Sequence, residues 1–517
     1  MSAVTPDPTT TAGPTIDPAA LRPGALTAGV FSERPVAVLG FARSGIALAR
    51  FLHDAGARVT VYDARPAAEL EAAIAKLEGR DVRLALGPDV DPGEALAGAA
   101  LVTSSPSINA AYPTTEPRLR AALRDLIDRR AAGDATAPAI VSEVDLFLRL
   151  CPAPTVGITG TKGKTTTSAL THALLATDPS HPAVLGGNIG TPLVERLPEL
   201  TPGHRVVLEL SELQLPTLSR GTTVAAYTNV TADHLDRHGT LDAYRAVKRR
   251  LAELVDPAGA LVLNADDPVV DGYAAATTAR TIRYRRGEAP VGGLGVAHGW
   301  IVGDRLAPVG AASGPAFPGG RVMRVDELGV PGAHNVSNAL AAVGIALLFG
   351  IEPEAIRAAA AAFSGVEHRL ERVLEVDGVR FVNDSQGTQP DAVIAALRAF
   401  DRPIVLIAGG RDKGVDLSDL ARVVAERADA AVLIGESAPT LETLFRRAGL
   451  ETTVRSSTLE AAVAAAHQLA REAAEAAGKT ATVLLSPAAA SFDMFVDYEA
   501  RGRAFKAAVR KLAEARA

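Results

Sequence analysis

The sequence predicts an α/β protein of three domains, each organised round a largely parallel sheet. Three observations carry this reading. Short β-branched runs alternate with Ala/Leu-rich segments of helical spacing, and the rhythm restarts twice along the chain. PVAVLGF (35–41), SGIALARFLHDAG and RVTVYD (58–63) make one strand–helix–strand crossover, a unit that joins parallel strands. The length of 517 residues exceeds what a single hydrophobic core serves. The spacing divides the chain into a tail (1–33), a Rossmann-like domain (34–150), a central domain (151–365) and a second Rossmann-like domain (366–517).

The tail, which begins MSAVTPDPTTTAGPTIDPAALRPG, is rich in Pro, Thr and Ala, and its composition predicts disorder. It lacks the basic and then apolar regions of a signal peptide. The central domain opens at PTVGITG (154–160) and continues through the strands RVVLEL (205–210), VAAYTNV (224–230) and GALVLN (259–264). Residues 285–325, rich in Gly and Pro, read as a β-rich excursion of that domain. ALAAVGIALLFGI (339–351) is too short to span a bilayer and reads as a buried helix. The last domain carries RPIVLIAGG (402–410), AAVLIGE (430–436) and ATVLLSP (481–487). Loop-like connections near 131–138 and 365–372 separate the three.

Bulk properties narrow the function. Net charge is −6 and aromatics are 4%, which argues against a nucleic-acid surface. One cysteine, Cys151, rules out an intramolecular disulfide framework and fits a reducing, cytoplasmic setting without membrane insertion.

GITGTKGKTTT (157–167) is the most informative stretch. A strand feeds a Gly-rich loop and then a helix start, so backbone N–H groups and the helix dipole converge on one point. Gly160, Thr161, Lys162, Gly163, Lys164, Thr165 and Thr166 form a phosphate cradle there. Lys164 is placed to reach β/γ-phosphates and the Thr165 hydroxyl to ligate Mg²⁺. The loop departs from the usual pattern, which has Gly where Ile158 stands. The alternative is a tight strand–helix turn with a surface lysine. Downstream, Glu209 ends an apolar strand, where a buried carboxylate needs a counter-charge such as Mg²⁺. His234 and Asp236 follow another strand. Lys248 lies on a helix beside Arg249 and Arg250, and its spacing alone reads as a solvated face. Asn335 and Asn338 sit three apart at a helix start, and read equally as a ligand-facing pair or as caps.

These segments fall in one order: TGTKGKTT, GGNIG, ELSELQL, TNVTADHLD, YRAVK, LNADD, GAHNVSNALAA, HRLE, FVNDS, GGRDKG and LLSPAAASFDMF. That series, over about residues 35 to 510, resembles the Mur ligases. The resemblance implies a central P-loop ATPase domain between the two Rossmann-like ones. It also implies ATP-dependent amide formation through an acyl phosphate in peptidoglycan precursor synthesis. GGNIG and SPAAASFDMFVDYEARG are most similar to members that join D-glutamate to UDP-N-acetylmuramoyl-L-alanine. Another Mur ligase or a folylpolyglutamate-type ligase, a form adding L-glutamate, and a P-loop ATPase driving movement are the alternatives.

Residue by residue, the resemblance implies that Lys164 and Thr165 hold phosphate and metal, that Glu209 and His234 ligate metal, and that Lys248 becomes a ligand once carbamylated. It assigns Arg43, Ser44, Asp63, Arg65, Ser107, Asn188, Ser211 and His234 to the UDP substrate. Asn188 and Ser211 read by themselves as turn or strand-end polar residues. The resemblance assigns Asn264, Asn335, Asn338, Arg369 and Asp384 to ATP, and Thr388, Lys413, Ser491 and Tyr498 to glutamate. Two departures stand out. Ser107 replaces a glycine, and Gln386 and Gln389 stand where much of the family has Lys and Asn. The implied enzyme is a cytoplasmic monomer using ATP and Mg²⁺, with its domains closing on the substrates.

Overall fold

A computed structural model of the chain describes residues 14–233, 235–309, 316–330, 332–412 and 416–516. The chain divides into two compact units, one ending at Phe363 and one beginning at Ser364. Among the described residues, the first unit carries two sheets and the second carries one.

The first sheet is wholly parallel, in the order Arg83–Leu86, Arg58–Asp63, Pro35–Leu39, Leu101–Ser104, Ala139–Ser142. Strand order reverses between Pro35–Leu39 and Leu101–Ser104, and such a reversal opens a crevice at the carboxyl ends of the strands. The helix Arg43–Asp54 starts at that edge, with Ala47, Leu48, Phe51 and Leu52 turned into the core.

Among the described residues, the second sheet has nine strands. Thr155–Thr159 lies inside it, between Val224–Tyr227 and Arg205–Glu209, all parallel. Every residue of Thr155–Thr159 is buried, as a central strand covered on both faces requires. The excursion at 285–325 extends this sheet through Leu294–Ala297, Trp300–Gly303 and Gly320–Arg324, paired antiparallel. The apolar run at 339–351 lies largely in the helix Ala333–Leu348, which is buried from Asn338 onward and packs on the helix Lys164–Leu175.

Among its described residues the second unit has six strands, in the order Glu371–Val376, Val379–Asn383, Ala481–Leu485, Ile404–Gly409, Ala430–Ile434, Thr453–Arg455. All pairs are parallel except the first.

One expectation fails. Residues 14–33, assigned by composition to a disordered tail, are ordered. Ile16, Leu21, Ala25 and Phe31 join the first unit's core, and Phe31 is only 1% exposed. The Ile16 N–H donates to the Ala100 carbonyl at 2.8 Å, and Arg149 donates to the Pro18 carbonyl at 2.7 Å. Four well-spaced apolar residues outweigh a Pro-rich composition once a core offers them a surface.

Candidate active site

The loop after Thr155–Thr159 is shaped by two glycines in left-handed backbone. Gly160 has φ +148°, and a Cβ there would lie 2.0 Å from Thr228 Oγ1. Gly163, the residue before the helix Lys164–Leu175, has φ +84°, and its Cβ would lie 2.4 Å from Asn338 Oδ1. Only glycine fits either position. Asn229, which the sequence reading passed over, holds the loop. Its carbonyl accepts from Thr161 N at 2.7 Å, its Oδ1 accepts from Lys162 N at 2.9 Å, and its Nδ2 donates to the Lys162 carbonyl at 3.0 Å. Lys164 folds back over the loop and donates to the Thr161 carbonyl at 2.9 Å. Thr165 is buried and Thr166 half-buried at the start of the helix. The result is a preformed anion cradle at a helix N-terminus.

Glu209 ends its strand beside this cradle and is 2% exposed. Its Oε1 accepts from Asn188 Nδ2 at 2.7 Å, while its Oε2 is buried without a hydrogen-bond donor. An orphaned buried carboxylate oxygen is costly in a protein interior, and a divalent cation satisfies it. The site therefore fits Mg²⁺. His234 lies outside the described residues. Among the described residues, no group of three or more His, Cys, Asp or Glu is arranged to hold a metal.

Lys248 corrects the reading from spacing alone. It faces inward from the helix Leu241–Leu254 and is fully buried, whereas Arg249 and Arg250 face outward and pair with Glu253. Its Nζ donates to Thr159 Oγ1 at 3.3 Å and lies 5.4 Å from the centre of the Tyr244 ring. Burial, followed by the nearby Lys164 charge, brings its pKa down to about 7, against the pull of Glu212, Asp233 and Glu209. An amine titrating there is substantially neutral and nucleophilic at physiological pH.

Gly332 precedes the helix Ala333–Leu348 and offers no side-chain cap, Asn338 Nδ2 donates to Asn335 Oδ1 at 3.2 Å, and Asn338 abuts Gly163. Asn264 Nδ2 donates to the Thr228 carbonyl at 2.7 Å, which ties its strand to the loop wall.

In the first sheet, a cavity of about 290 Å³ at the strand-order reversal is lined by Gly40, Asp63, Ser107, Ile108, Thr115 and Glu116, among others. Asp63 is saturated: Oδ2 accepts from Phe41 N at 2.8 Å and from Arg65 Nη2 at 2.8 Å, and Oδ1 accepts from Arg65 N and Nε, both at 3.0 Å. Burial alone would raise its pKa, but the Arg65 and Phe41 hydrogen bonds outweigh it and hold the carboxyl below the usual range. Arg43 donates to the Gly190 carbonyl at 2.9 Å, and Ser44 follows it in the first turn of the helix. Ser107 Oγ lies 3.3 Å from Ser105 Oγ. Ser211 is buried, and its N–H and hydroxyl donate to Gln214 Oε1 at 2.9 and 3.1 Å.

In the second unit, Asp384, Thr388 and Ser491 follow the carboxyl ends of Val379–Asn383 and Ala481–Leu485. Burial pushes the Asp384 carboxyl up to about 6, although Ser486 Oγ donates to it at 2.6 Å and Leu370 N at 3.2 Å. Arg369 closes a tight turn through its N–H to the Val366 carbonyl. Thr388 N donates to the Gln386 carbonyl at 2.8 Å. Tyr498 begins the helix Tyr498–Glu514, and its carbonyl accepts from Ser385 Oγ at 2.7 Å. Arg501, also missed by the sequence reading, is a fully buried guanidinium that donates to the Ser385 hydroxyl and carbonyl and to the Ala489 carbonyl. It staples the Asp384–Thr388 loop to the one carrying Ser491. An arginine every helix can carry gives no signal of this in sequence. Lys413 lies outside the described residues.

Comparison with known proteins agrees with this geometry. Residues 158–346 match the Mur ligase middle domain and residues 368–489 match the Mur ligase glutamate ligase domain. The UDP-N-acetylmuramoylalanine–D-glutamate ligase of Pelotomaculum thermopropionicum is 39% identical over 93% of this chain and 98% of its own length. The enzyme of the same name from Symbiobacterium thermophilum is 40% identical over 94% of this chain and all of its own. Among solved structures, the UDP-N-acetylmuramate–alanine ligase MurC of Thermotoga maritima has a TM-score of 0.50 at 16% identity. It covers 93% of this chain and 99% of that one, a likeness of fold alone. Matched by these relatives almost end to end and by both family models, the chain belongs to the Mur ligase family.

Proposed function

We propose that the protein joins D-glutamate to UDP-N-acetylmuramoyl-L-alanine at the expense of ATP, giving ADP and phosphate, in the cytoplasm and as a monomer. The relatives named for this reaction, matched over nearly their whole length, support the choice of substrates. The observation that carries the chemistry is the cluster of Lys164, Glu209 and Lys248 round the glycine loop.

A carboxylate is a poor electrophile because its charge and resonance repel an amine. The alanine carboxylate attacks the γ-phosphorus, the bond to the β–γ bridging oxygen breaks, and ADP leaves. The glutamate amine then attacks the acyl phosphate carbonyl, loses a proton, and expels inorganic phosphate. Gly160–Thr166 hold the phosphates through backbone N–H groups, and Lys164 shifts from the Thr161 carbonyl to the transferring phosphoryl. Glu209 Oε2, Thr165 and His234 would hold Mg²⁺, which neutralises phosphate charge when bound. The neutral Lys248 amine adds carbon dioxide to give a carbamate and a proton, turning a neutral amine into an anionic oxygen donor.

Asn264, Asn335, Asn338, Arg369 and Asp384 serve ATP. The cavity at Gly40, Asp63 and Ser107 takes the uridine end of the substrate, with Arg43 and Ser44 at its diphosphate. Since the Asp63 carboxylate is fully engaged, its part there is to orient Arg65 and the Phe41 backbone. Thr388, Lys413, Ser491 and Tyr498 receive glutamate.

The test is phosphate release with UDP-N-acetylmuramoyl-L-alanine and D-glutamate supplied separately and together, with L-glutamate alongside. Release that needs both substrates supports the proposal. Release without the UDP-sugar, or a preference for L-glutamate, overturns it.

A further inference from the structure

A cavity of about 560 Å³ lies in the first unit, and none of the residues assigned above to ATP, metal or the nucleotide-sugar lines it. Four segments wall it. They are the last turns of the helix Arg43–Asp54, the end of the helix Glu143–Leu150, the 3₁₀ helix Leu193–Glu199, and residues 24–27 of the ordered N-terminal segment. Leu26, Phe51, Leu150, Leu197 and Leu200 give the space an apolar body. A cavity of this size and lining takes a small organic molecule, and its polar end decides which class.

Arg50 and Glu195, both half-buried, meet at that end. Arg50 Nε lies 3.0 Å from Glu195 Oε1 but is not aligned with it, and this Nε is buried with no hydrogen-bond acceptor. Among the described residues, the guanidinium makes a single hydrogen bond, from Nη1 to the Lys76 carbonyl at 3.5 Å, and the Glu195 carboxylate accepts none. The neighbouring Arg80, by contrast, is engaged, donating to both Asp54 oxygens at 2.8 Å. Burial lifts the Glu195 carboxyl above its usual range, against the pull of Arg50 and Arg80. A cation and an anion side by side, each short of hydrogen bonds, suit a ligand that brings one charged acceptor and one charged donor. The surroundings exclude other classes. Arg50 and Arg80 stand against three carboxylates, those of Asp54, Glu78 and Glu195, so a phosphate meets a net negative wall. A dicarboxylic amino acid would have to bury its second carboxylate against Phe51 and Leu197.

We propose that this cavity is a binding site for an α-amino acid with a large apolar side chain. The carboxylate of the ligand takes the Arg50 guanidinium, its ammonium takes Glu195, and its side chain fills the space between Phe51, Leu150, Leu197 and Leu200. The site is additional to the proposed ligation and does not depend on it. It also adjoins two elements that lead to the reaction centre. Arg50 lies about two turns along its helix from Arg43, which donates to the Gly190 carbonyl at 2.9 Å. The 3₁₀ helix bearing Glu195 continues the loop from which Asn188 Nδ2 donates to Glu209 at 2.7 Å.

The test is calorimetric titration of the full chain with each enantiomer of phenylalanine, without nucleotide or metal. At least one enantiomer binds. Arg50→Met and Glu195→Gln each weaken that binding at least about tenfold, the scale of one lost charge-assisted hydrogen bond. On the parent, phenethylamine, which lacks the carboxylate, and N-acetylphenylalanine, which lacks the ammonium, each bind at least about tenfold more weakly, a comparison that does not depend on a variant folding. Saturating D-glutamate leaves the affinity for phenylalanine unchanged, and hydrogen exchange across 193–200 slows when phenylalanine is added. Failure of both enantiomers to bind, parent-like affinity in either variant, undiminished binding of either analogue, displacement by D-glutamate, or unchanged exchange across 193–200 would each overturn the inference. A parent that binds phenylalanine in this way and yet joins no glutamate would refute only the reaction proposed above.

Discussion

Lys248→Met separates what the fold gains from what the reaction needs. The parent lysine titrates at about 7 instead of the usual 10.5, because the ammonium is fully buried and Lys164 adds its own charge. Bringing the ammonium from 10.5 down to about 7 corresponds to about 5 kcal/mol between the two protonation states. Of that, about 4 kcal/mol opposes folding at pH 7, where the unfolded lysine is charged and the folded one half so. The sign comes from the lowered folded pKa. Lysine's contribution is most favourable above pH 10.5 and is lost as pH falls through 7, so parent stability rises between those values with a slope approaching about 1.4 kcal/mol per pH unit. Methionine fills a similar volume with no charge to desolvate. Urea unfolding in carbon dioxide-free buffer, without nucleotide or metal, should therefore find Lys248→Met more stable than the parent at pH 7 by up to about 4 kcal/mol, and the gap should close towards pH 10. Ligation should fall at least about a hundredfold in both Lys248→Met and Lys248→Ala, the loss expected when a transition-state electrostatic partner is removed. Small carboxylic acids should partly restore turnover in Lys248→Ala. A less stable methionine variant, or one that keeps its activity, would refute the reasoning.

Gly163→Ala places a Cβ 2.4 Å from Asn338 Oδ1 in a backbone of φ +84°, so the ATP KM should rise at least about tenfold in steady-state assays. Asp384→Asn tests the acid that burial raises to about 6. Its raised pKa means that Asp384 contributes most below pH 3.8 and loses that contribution as pH rises through 6. Removing it should abolish about 3 kcal/mol of pH-dependent stability between about pH 4 and 7, measured by denaturant melts. Phe31→Ala, in the segment whose composition predicts disorder, should destabilise the first unit by about 3 to 5 kcal/mol in calorimetry. Lys413→Ala should raise the glutamate KM far more than the ATP KM, and equal shifts in the initial-rate kinetics would remove Lys413 from the glutamate site.

Contiguous chemistry was legible in the sequence alone. The phosphate loop is one strand, one turn and one helix start, and its two glycines lie within a few residues of the lysine and threonine they serve. The crossover rhythm likewise led to three sheets of mainly parallel strands, because period-two and helical spacing are local properties. Tertiary structure decided whatever depends on what a side chain faces. Lys248, Arg249 and Arg250 are indistinguishable as a basic run, yet one is fully buried and two reach solvent, since successive helix positions point about 100° apart and only packing selects the inward one. The same holds for the Asn335 and Asn338 pair, for Phe31, and for Asn229 and Arg501. Arg501 finds its partner Ser385 116 residues away along the chain, a distance over which no local pattern survives.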